Sequence, residues 1–147
     1  MVWGCLAANG FGNFHFCNGT IMAPDYIRVL EVNLRPSLQR LFGRKRYLFQ
    51  QDNARPYTAK ITKTWLRTKR VPVLEWPAAS PDLSPIENIW RILKRNMAQR
   101  HPAIYNSYKI ICGRNGKKIS ADTLSLLVSS MPKRLAGVIR CKGDVTS

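Results

Sequence analysis

Acidic residues are scarce in this sequence of 147 residues, in which eight aspartates and glutamates stand against 24 lysines and arginines. The formal net charge is therefore +16 at pH 7, and the isoelectric point is about 10.4. A protein with this field attracts polyanions, of which nucleic acid is the commonest. The charge fixes only the sign of the partner, because a basic cell-surface or heparin-binding protein would show similar totals.

Residues that bind zinc or form disulfides are also few. The two histidines, His15 and His101, are isolated in the sequence. The cysteines show no C-x-x-C spacing, which excludes the common zinc patterns and is typical of reduced thiols in an intracellular protein. These four cysteines are Cys5, Cys17, Cys112 and Cys141.

A long hydrophobic run is absent as well. The uncharged stretch before Asp25 lacks a basic start and is interrupted by asparagines, glycines and a histidine. It is therefore predicted to be neither a signal peptide nor a membrane span, and no membrane partner is expected. With 45% hydrophobic residues, the chain is expected to form one soluble domain with a buried core.

The hydrophobic pattern predicts strands that alternate with helices, which is typical of α/β architecture. Asn9-Gly10 predicts a hairpin. A helix is expected over 25–42, and Pro36 should kink it or split it in two. The later elements are predicted as strands over 47–51 and 71–76, helices over 56–70 and 85–100, a linker over 101–118, and two short helices over 120–142 that divide near Pro132.

Basic residues concentrate in the middle of the chain. Residues 35–70 contain eleven lysines and arginines and one acid. On the predicted helix over 56–70, Ala54, Thr58, Ile61 and Trp65 form a packing stripe, and cations form a second stripe. Together with the basic turn after Gly43, this second stripe gives the predicted nucleic-acid-binding residues, which are Arg44, Lys45, Arg46, Lys60, Lys63, Arg67 and Arg70.

Asp52 is the acid of this basic region, and it follows the predicted strand in the stretch LFQQDNARPYTAKITKTWL. It is either a turn residue or a functional carboxylate, since ligands bind at strand ends in α/β sheets. Glu87 also has two readings. With Ser84 and Pro85 it fits a capping box, and it is a candidate partner of Asp52. Asp82 is more typical of a turn former.

Two carboxylates at about 4 Å repel each other by roughly 4 kcal/mol at an effective dielectric constant near 20. A site that contains both therefore requires divalent cations, and oxygen ligands suit magnesium or manganese. Two such ions activate the attacking oxygen and stabilise the leaving oxygen in phosphodiester chemistry. A basic protein with this site would be a nuclease or a strand-transfer enzyme.

Two stretches of the sequence, FQQDNARPYTA and LEWPAASPDLSPIENIWRILK, resemble the catalytic domain of the mariner-superfamily (Tc-type) DDE transposases. MVWGC and SMPKRLAGVIRCKG are similar to that family too, and 34 residues separate Asp52 from Glu87. The resemblance implies metal-dependent cleavage and rejoining of DNA at transposon ends. It implies that Asp52 and Glu87 are catalytic ligands of Mg²⁺ or Mn²⁺, with Asn53 and Asn88 as hydrogen-bonding groups behind them.

The resemblance also implies a ribonuclease H-like mixed sheet with flanking helices. The family's first catalytic aspartate lies on a central strand upstream of the segment that resembles MVWGC, and no acid precedes Asp25 here. We therefore expect a sheet that lacks this first strand, and an enzyme that is inactive alone. The expected domains are a truncated catalytic domain over 1–100, a linker over 101–118 and a C-terminal helical extension over 119–147.

The resemblance implies DNA as the partner, with a homodimer or a full-length transposase as a further partner, and the nucleus as the location. The strand–loop–helix pattern predicts Asp52 at the C-terminal end of its strand and Glu87 in the first turn of a helix. Their carboxyl groups are expected on the order of 4–7 Å apart. Two other classes stay open: a non-catalytic basic DNA-binding protein derived from a transposon, and a structural or ribosome-associated basic protein.

Overall fold

The structure, a computed structural model, describes residues 1–76, 83–98 and 120–140. The predicted linker and Asp82 lie outside these residues, and the predicted domain boundaries remain a prediction. The elements are β1 Val2–Ala7, β2 Gly10–Phe16, α1 Ala23–Val29, a π-helical segment Leu30–Leu34, α2 Arg35–Phe42, α3 Arg55–Thr58, α4 Lys60–Thr68, α5 Pro85–Ala98, α6 Ala121–Ser129 and α7 Met131–Arg140.

The chain divides into two compact units. The first unit contains Met1–Cys5 and Gly12–Ser80, and the second contains Leu6–Phe11 and Pro81–Ser147. The strands β1 and β2 form a two-stranded sheet with its turn at residues 8–9, which confirms the predicted hairpin. Its open end belongs to the first unit and its tip to the second. Among the described helices, none is long and apolar enough to cross a membrane.

The first helix is a continuous right-handed run that widens into a π-helical segment just before Pro36. Leu34 and Arg35, at the junction, keep helical angles of φ −70° and ψ −50°, and φ −57° and ψ −50°. Pro36 has no N–H, and its ring clashes with the carbonyl of the residue four positions earlier. The wider turn accommodates both effects. Pro36 therefore goes with a change of helical pitch in one continuous helix, and the predicted division into two helices is wrong. The helix buries Tyr26, Leu30 and Leu34 in the first-unit core.

The predicted helix over 56–70 is divided at Ala59, whose ψ of 143° is extended. The predicted packing stripe is wrong for this reason, because residues before the break do not share the periodicity of α4. Thr62 and Leu66 are the buried residues of α4, whereas Ile61 is 49% exposed. Trp65 is half-buried and packs against the first-unit core.

The predicted strands over 47–51 and 71–76 are reduced to one parallel bridge between Phe49 and Val73. The Phe49 amide donates to the Pro72 carbonyl at 2.8 Å, and the Leu74 amide donates to the Phe49 carbonyl at 2.8 Å. Pro72 cannot donate to a ladder, which limits the pairing at this end. The two segments are neighbours at this bridge, but they are not the full strands that were predicted.

The second unit has a core of its own around α5. Ile89 and Leu93 of α5 are buried with Leu124 of α6, and Leu6 and Phe11 from the hairpin tip pack against them. The helices α6 and α7 are separated at residue 130, which confirms the predicted division near Pro132. Ser120 caps α6, because its Oγ accepts a hydrogen bond from the Thr123 amide at 3.2 Å.

Candidate active site

Asp52 lies three residues after the bridge residue Phe49 and begins the loop that leads into α3. Its side chain is exposed, and its Oδ1 accepts a hydrogen bond from the Ala54 amide at 2.9 Å. This bond is the Asx turn that the turn reading of Asp52 predicts. In the described part of the chain, the second carboxylate oxygen, Oδ2, receives no hydrogen bond. Asp52 is therefore a turn residue in this structure, and its role as a metal ligand remains a prediction.

Gln51 fixes the backbone on which Asp52 sits. Its Oε1 accepts a hydrogen bond from the Tyr26 hydroxyl at 2.8 Å, and its Nε2 donates to the Tyr57 carbonyl at 3.2 Å. The rings of Tyr26 and Tyr57 stack with their centroids 4.1 Å apart. The sequence analysis missed Gln51 and Tyr26 as supports of the site. The available signal was an amide side chain at the end of an apolar segment, directly before a candidate ligand.

Asn53 connects this loop to the other half of the parallel bridge. Its Nδ2 donates to the Trp76 carbonyl at 2.7 Å. Asn53 therefore holds the loop in place, and its role as a group behind the metal ligands remains a prediction. The backbone is thus held by side-chain hydrogen bonds on both sides of Asp52, from Gln51 before it and from Asn53 after it.

Glu87 is exposed in the first turn of α5, as predicted, and Asn88 is half-buried beside it. The Glu87 amide donates to the Ser84 carbonyl at 3.2 Å, and Pro85 is the first residue of the helix. The side-chain bonds of a capping box remain a prediction. Glu87 belongs to the second unit and Asp52 to the first, and the expected separation of their carboxyl groups also remains a prediction.

The donor chemistry of the two carboxylates fits a hard divalent cation. Asp52 and Glu87 both offer exposed oxygens, which magnesium and manganese prefer. The residues that the structure describes contain no group of three His, Cys, Asp or Glu side chains that could hold a metal ion. Joint metal binding by Asp52 and Glu87 therefore remains a prediction.

Tyr57 lies in α3, directly after the loop that carries Asp52. Burial, the negative charge of Asp52 and the charge of Cys17 together raise the pKa of Tyr57 to about 12. Burial also raises the pKa of Tyr26, and the charge of the neighbouring Tyr57 raises it in the same direction. Tyr57 is therefore a neutral hydroxyl at physiological pH.

The raised pKa of Tyr57 predicts a loss of stability at alkaline pH. Between about pH 10 and 12 the phenol ionises in the unfolded chain but stays protonated in the folded one, so the folded state binds more protons and the free energy of unfolding falls as pH rises. We expect Tyr57→Phe to reduce this fall by roughly 1–2 kcal/mol, a value discounted for the partial exposure of the ring. Urea unfolding of both proteins across this range measures it. If the free energy of unfolding fell equally with pH in the two proteins, the raised pKa of Tyr57 would be contradicted.

The seven predicted nucleic-acid-binding residues are all exposed and all lie in the first unit. Lys60, Lys63 and Arg67 project from α4 at spacings of three and four, which places them on neighbouring positions of the helix surface. Arg70 follows the end of α4, and the basic turn of Arg44, Lys45 and Arg46 follows the end of α2. Their exposure permits contact with a polyanion, and their role remains a prediction.

Comparison with known protein families identifies relatives across nearly the whole chain. Residues 1–107 match the family described as DDE superfamily endonuclease. The Tc3 transposase of Caenorhabditis elegans is 37% identical over 147 residues, which cover 98% of this chain and 44% of the relative. The Tcb1 transposase of Caenorhabditis briggsae is 36% identical over 146 residues, which cover 99% of this chain and 53% of the relative. The chain thus spans about half the length of the curated relatives it matches.

Solved structures give the same fold. The Mos1 transposase catalytic domain with raltegravir and magnesium superposes with a TM-score of 0.92 at 21% identity, covering 99% of this chain and 76% of that one. The Mos1 paired-end complex with the left transposon end gives a TM-score of 0.91 at 22% identity, covering 99% and 44%. The likeness confirms the ribonuclease H-like fold class. The chain belongs to the DDE superfamily of endonucleases, as a relative of the Tc1/mariner transposases.

Proposed function

We propose that this chain is the remnant of a transposase catalytic domain, whose inherited chemistry is the cleavage and rejoining of DNA at transposon ends. The observation that carries the proposal is the family match over residues 1–107, which include both Asp52 and Glu87. The net charge of +16 supports DNA as the partner. We further propose action in the nucleus, where chromosomal DNA lies, with a second copy of the chain or a full-length transposase as the protein partner.

Mg²⁺ or Mn²⁺ is the cofactor in this proposal, with Asp52 and Glu87 as its protein ligands. Solved structures of the Mos1 catalytic domain with magnesium and with manganese support this choice. When bound, a pair of such ions stabilises the attacking and leaving oxygens of a phosphodiester. The chain's own contribution is orientation. Gln51 and Asn53 fasten the backbone on both sides of Asp52, so that its free oxygen keeps one direction.

In this proposal, the seven exposed cations bind the DNA substrate. Lysine and arginine side chains neutralise backbone phosphates without reading the base sequence, so this contact is sequence-blind. We propose that the basic turn Arg44–Arg46 and the cations of α4 hold duplex DNA in this way.

We also propose that the polypeptide of residues 1–147 does not cleave DNA alone. Asp52 and Glu87 are the two carboxylates of this polypeptide that match the DDE triad. Two carboxylates are too few to fix two ions, because Mg²⁺ dehydrates reluctantly and requires near-ideal octahedral geometry.

A cleavage assay tests this directly. The purified chain is expected to leave supercoiled plasmid DNA intact with Mg²⁺ or Mn²⁺, and Asp52→Ala and Glu87→Ala are expected to behave like the parent. The catalytic domain of a Tc-type relative serves as the positive control. Cleavage that either substitution abolishes would contradict the expectation and would make Asp25 or Asp82 the first candidate for the third carboxylate.

A second candidate is a non-catalytic DNA-binding protein of transposon origin. The exposure of the cations favours it, because DNA binding by these side chains requires no metal. The two functions differ at Asp52 and Glu87, since only the transposase reading requires these residues to bind a divalent ion. A structural or ribosome-associated protein would instead prefer RNA, so competition between duplex DNA and RNA of equal length separates that class from both.

A further inference from the structure

A groove of about 550 Å³ lies in the first unit between the ends of α2 and α4. We propose that this groove holds a backbone phosphate of duplex DNA, with Arg35 and Lys69 as its direct partners. The proposal rests on the proposed function and adds two residues that the sequence analysis did not select. The groove is lined by Glu31, Arg35, Gln39, Gly43, Tyr47 and Lys69, among others.

The groove joins two basic segments that are far apart in the sequence. Gly43, on one wall, is followed directly by the basic turn Arg44–Arg46, and Lys69, on the other wall, is followed by Arg70. The lining and these adjacent residues together contain six cations and one acid, Glu31. A concave surface with this charge balance concentrates polyanions more strongly than a flat one.

Lys69 is held in place by two contacts before any ligand binds. Its Nζ lies 3.3 Å from Oε1 of Glu31 and 6.0 Å from the ring centroid of Trp65. The Lys69 and Glu31 side chains are 33% and 49% exposed, and an ion pair of this exposure contributes little. A phosphate can therefore replace Glu31 as the partner of Lys69, while Trp65 keeps the ammonium oriented. Glu31 is, in this view, an internal competitor of DNA.

The backbone at Arg70 ends α4 directly after Lys69. Its φ of 54° is in the left-handed region, and it is the one residue other than glycine with positive φ among those described. The Val71 amide donates to the Leu66 carbonyl at 2.9 Å and the Arg70 amide to the Arg67 carbonyl at 3.0 Å. This is a Schellman motif, in which glycine is preferred at the position of Arg70. The turn places Lys69 and Val71, the residues on either side of Arg70, in the lining of the groove.

A competing explanation is that these cations only stabilise helix ends. Positive charge at the C-terminal end of a helix interacts favourably with the helix dipole, and both α2 and α4 end at the groove. Under that explanation, removing the cations lowers the thermal midpoint and leaves DNA affinity unchanged beyond the general effect of net charge.

Fluorescence anisotropy of a labelled DNA duplex with the full 147-residue chain, over a range of salt concentrations, distinguishes the two. Arg35→Gln and Lys69→Gln are each expected to reduce affinity about eightfold at 0.1 M salt and to reduce the salt slope by about 0.9, the value for one phosphate contact. Arg28→Gln is the matched control. Arg28 is also exposed and ion-paired, to Asp25 at 2.9 Å, and the substitution removes the same charge. We expect it to change affinity less than about twofold.

Glu31→Gln is expected to tighten DNA binding, because it frees Lys69, whereas Asp25→Asn removes an equal charge and should have a smaller effect. The tightening should disappear in the Lys69→Gln background, since the two residues then no longer interact. Arg70→Gly should weaken binding about eightfold while it raises the thermal midpoint by a few degrees. A melting curve of each variant shows that it is folded.

The outcomes separate this proposal from the proposed function. If the parent binds DNA with a steep salt dependence but Arg35→Gln and Lys69→Gln bind like Arg28→Gln, the groove is not a phosphate site and the proposed function stands. If the parent does not bind duplex DNA even at low salt, both are overturned. Lower thermal midpoints for Lys69→Gln and Arg70→Gly, without loss of affinity, would establish the helix-end explanation.

Discussion

Gly12→Ala is expected to destabilise the protein by roughly 3–5 kcal/mol, because a methyl group at this position has no space. Gly12 is buried on β2, and a Cβ there would lie 2.7 Å from Ser37 Oγ and 2.9 Å from Ser37 Cβ, and would overlap Cys5 Sγ. Ser37 cannot give way freely. Its hydroxyl donates to the Asn33 carbonyl at 2.6 Å and accepts from the Asn13 amide at 2.8 Å.

Urea unfolding measures this effect, and Gly19→Ala is the matched control. Gly19 has a φ of 71° and no atom within 4 Å of a Cβ built on it, so alanine there should cost only about 1–2 kcal/mol of backbone strain. Cys5→Ala combined with Gly12→Ala should recover part of the loss, since it removes the sulfur that the methyl group would overlap. Equal losses for Gly12→Ala and Gly19→Ala would show that β2 and α2 are not in close contact.

Replacing Arg44, Lys45 and Arg46 together by glutamine is expected to weaken binding of duplex DNA about 500-fold at 0.1 M salt. Each phosphate contact adds about 0.9 to the salt slope, so three lost contacts reduce the slope by about 2.7. For the parent, seven phosphate contacts predict a fall in affinity of about 10³- to 10⁴-fold between about 50 and 200 mM salt. Anisotropy titrations of one duplex at several salt concentrations give both quantities.

A second triple variant separates local contact from total charge. Arg28, Lys133 and Arg140 are exposed and have no assigned role in DNA binding, and their joint replacement by glutamine removes the same charge. We expect it to retain most of the salt slope. Equal losses for the two triple variants would indicate attraction by net charge alone, without a defined DNA surface. A parent whose affinity is insensitive to salt would contradict phosphate-dominated binding altogether.

Local pattern was sufficient to predict most helices and the hairpin, because a single stretch of sequence carries each signal. Residues that restrict the backbone locally account for three features: the hairpin turn at Asn9-Gly10, the change of helical pitch before Pro36 and the separation of two helices near Pro132. The break at Ala59 had no such signal. Alanine favours helix, so the extended backbone there is a tertiary effect, and the packing stripe that assumed an unbroken helix was wrong as a consequence.

The candidate site was predictable in its residues but not in its supports. Asp52 and Glu87 could be selected because the spacing between them resembles a family pattern. The structure gives Glu87 the predicted position in the first turn of its helix, whereas Asp52 lies in a loop after a single bridge residue instead of at the end of a strand. Gln51 and Tyr26 are 25 positions apart in the sequence, and the groove depends on how α2 and α4 end near each other. Neither arrangement leaves a periodic or compositional trace in one sequence.

The central claim is that Asp52 and Glu87 are joint ligands of a divalent ion, and paramagnetic broadening by Mn²⁺ tests it most directly. In a ¹⁵N-labelled chain, substoichiometric Mn²⁺ should broaden the amide signals of Asp52 and Asn53 together with those of Glu87 and Asn88, and excess Mg²⁺ should restore them. Asp52→Asn should also abolish the broadening at Glu87, because one ion would need both carboxylates. Broadening at Glu87 that persists in Asp52→Asn, or that appears only around other acids such as Asp25, would contradict the claim.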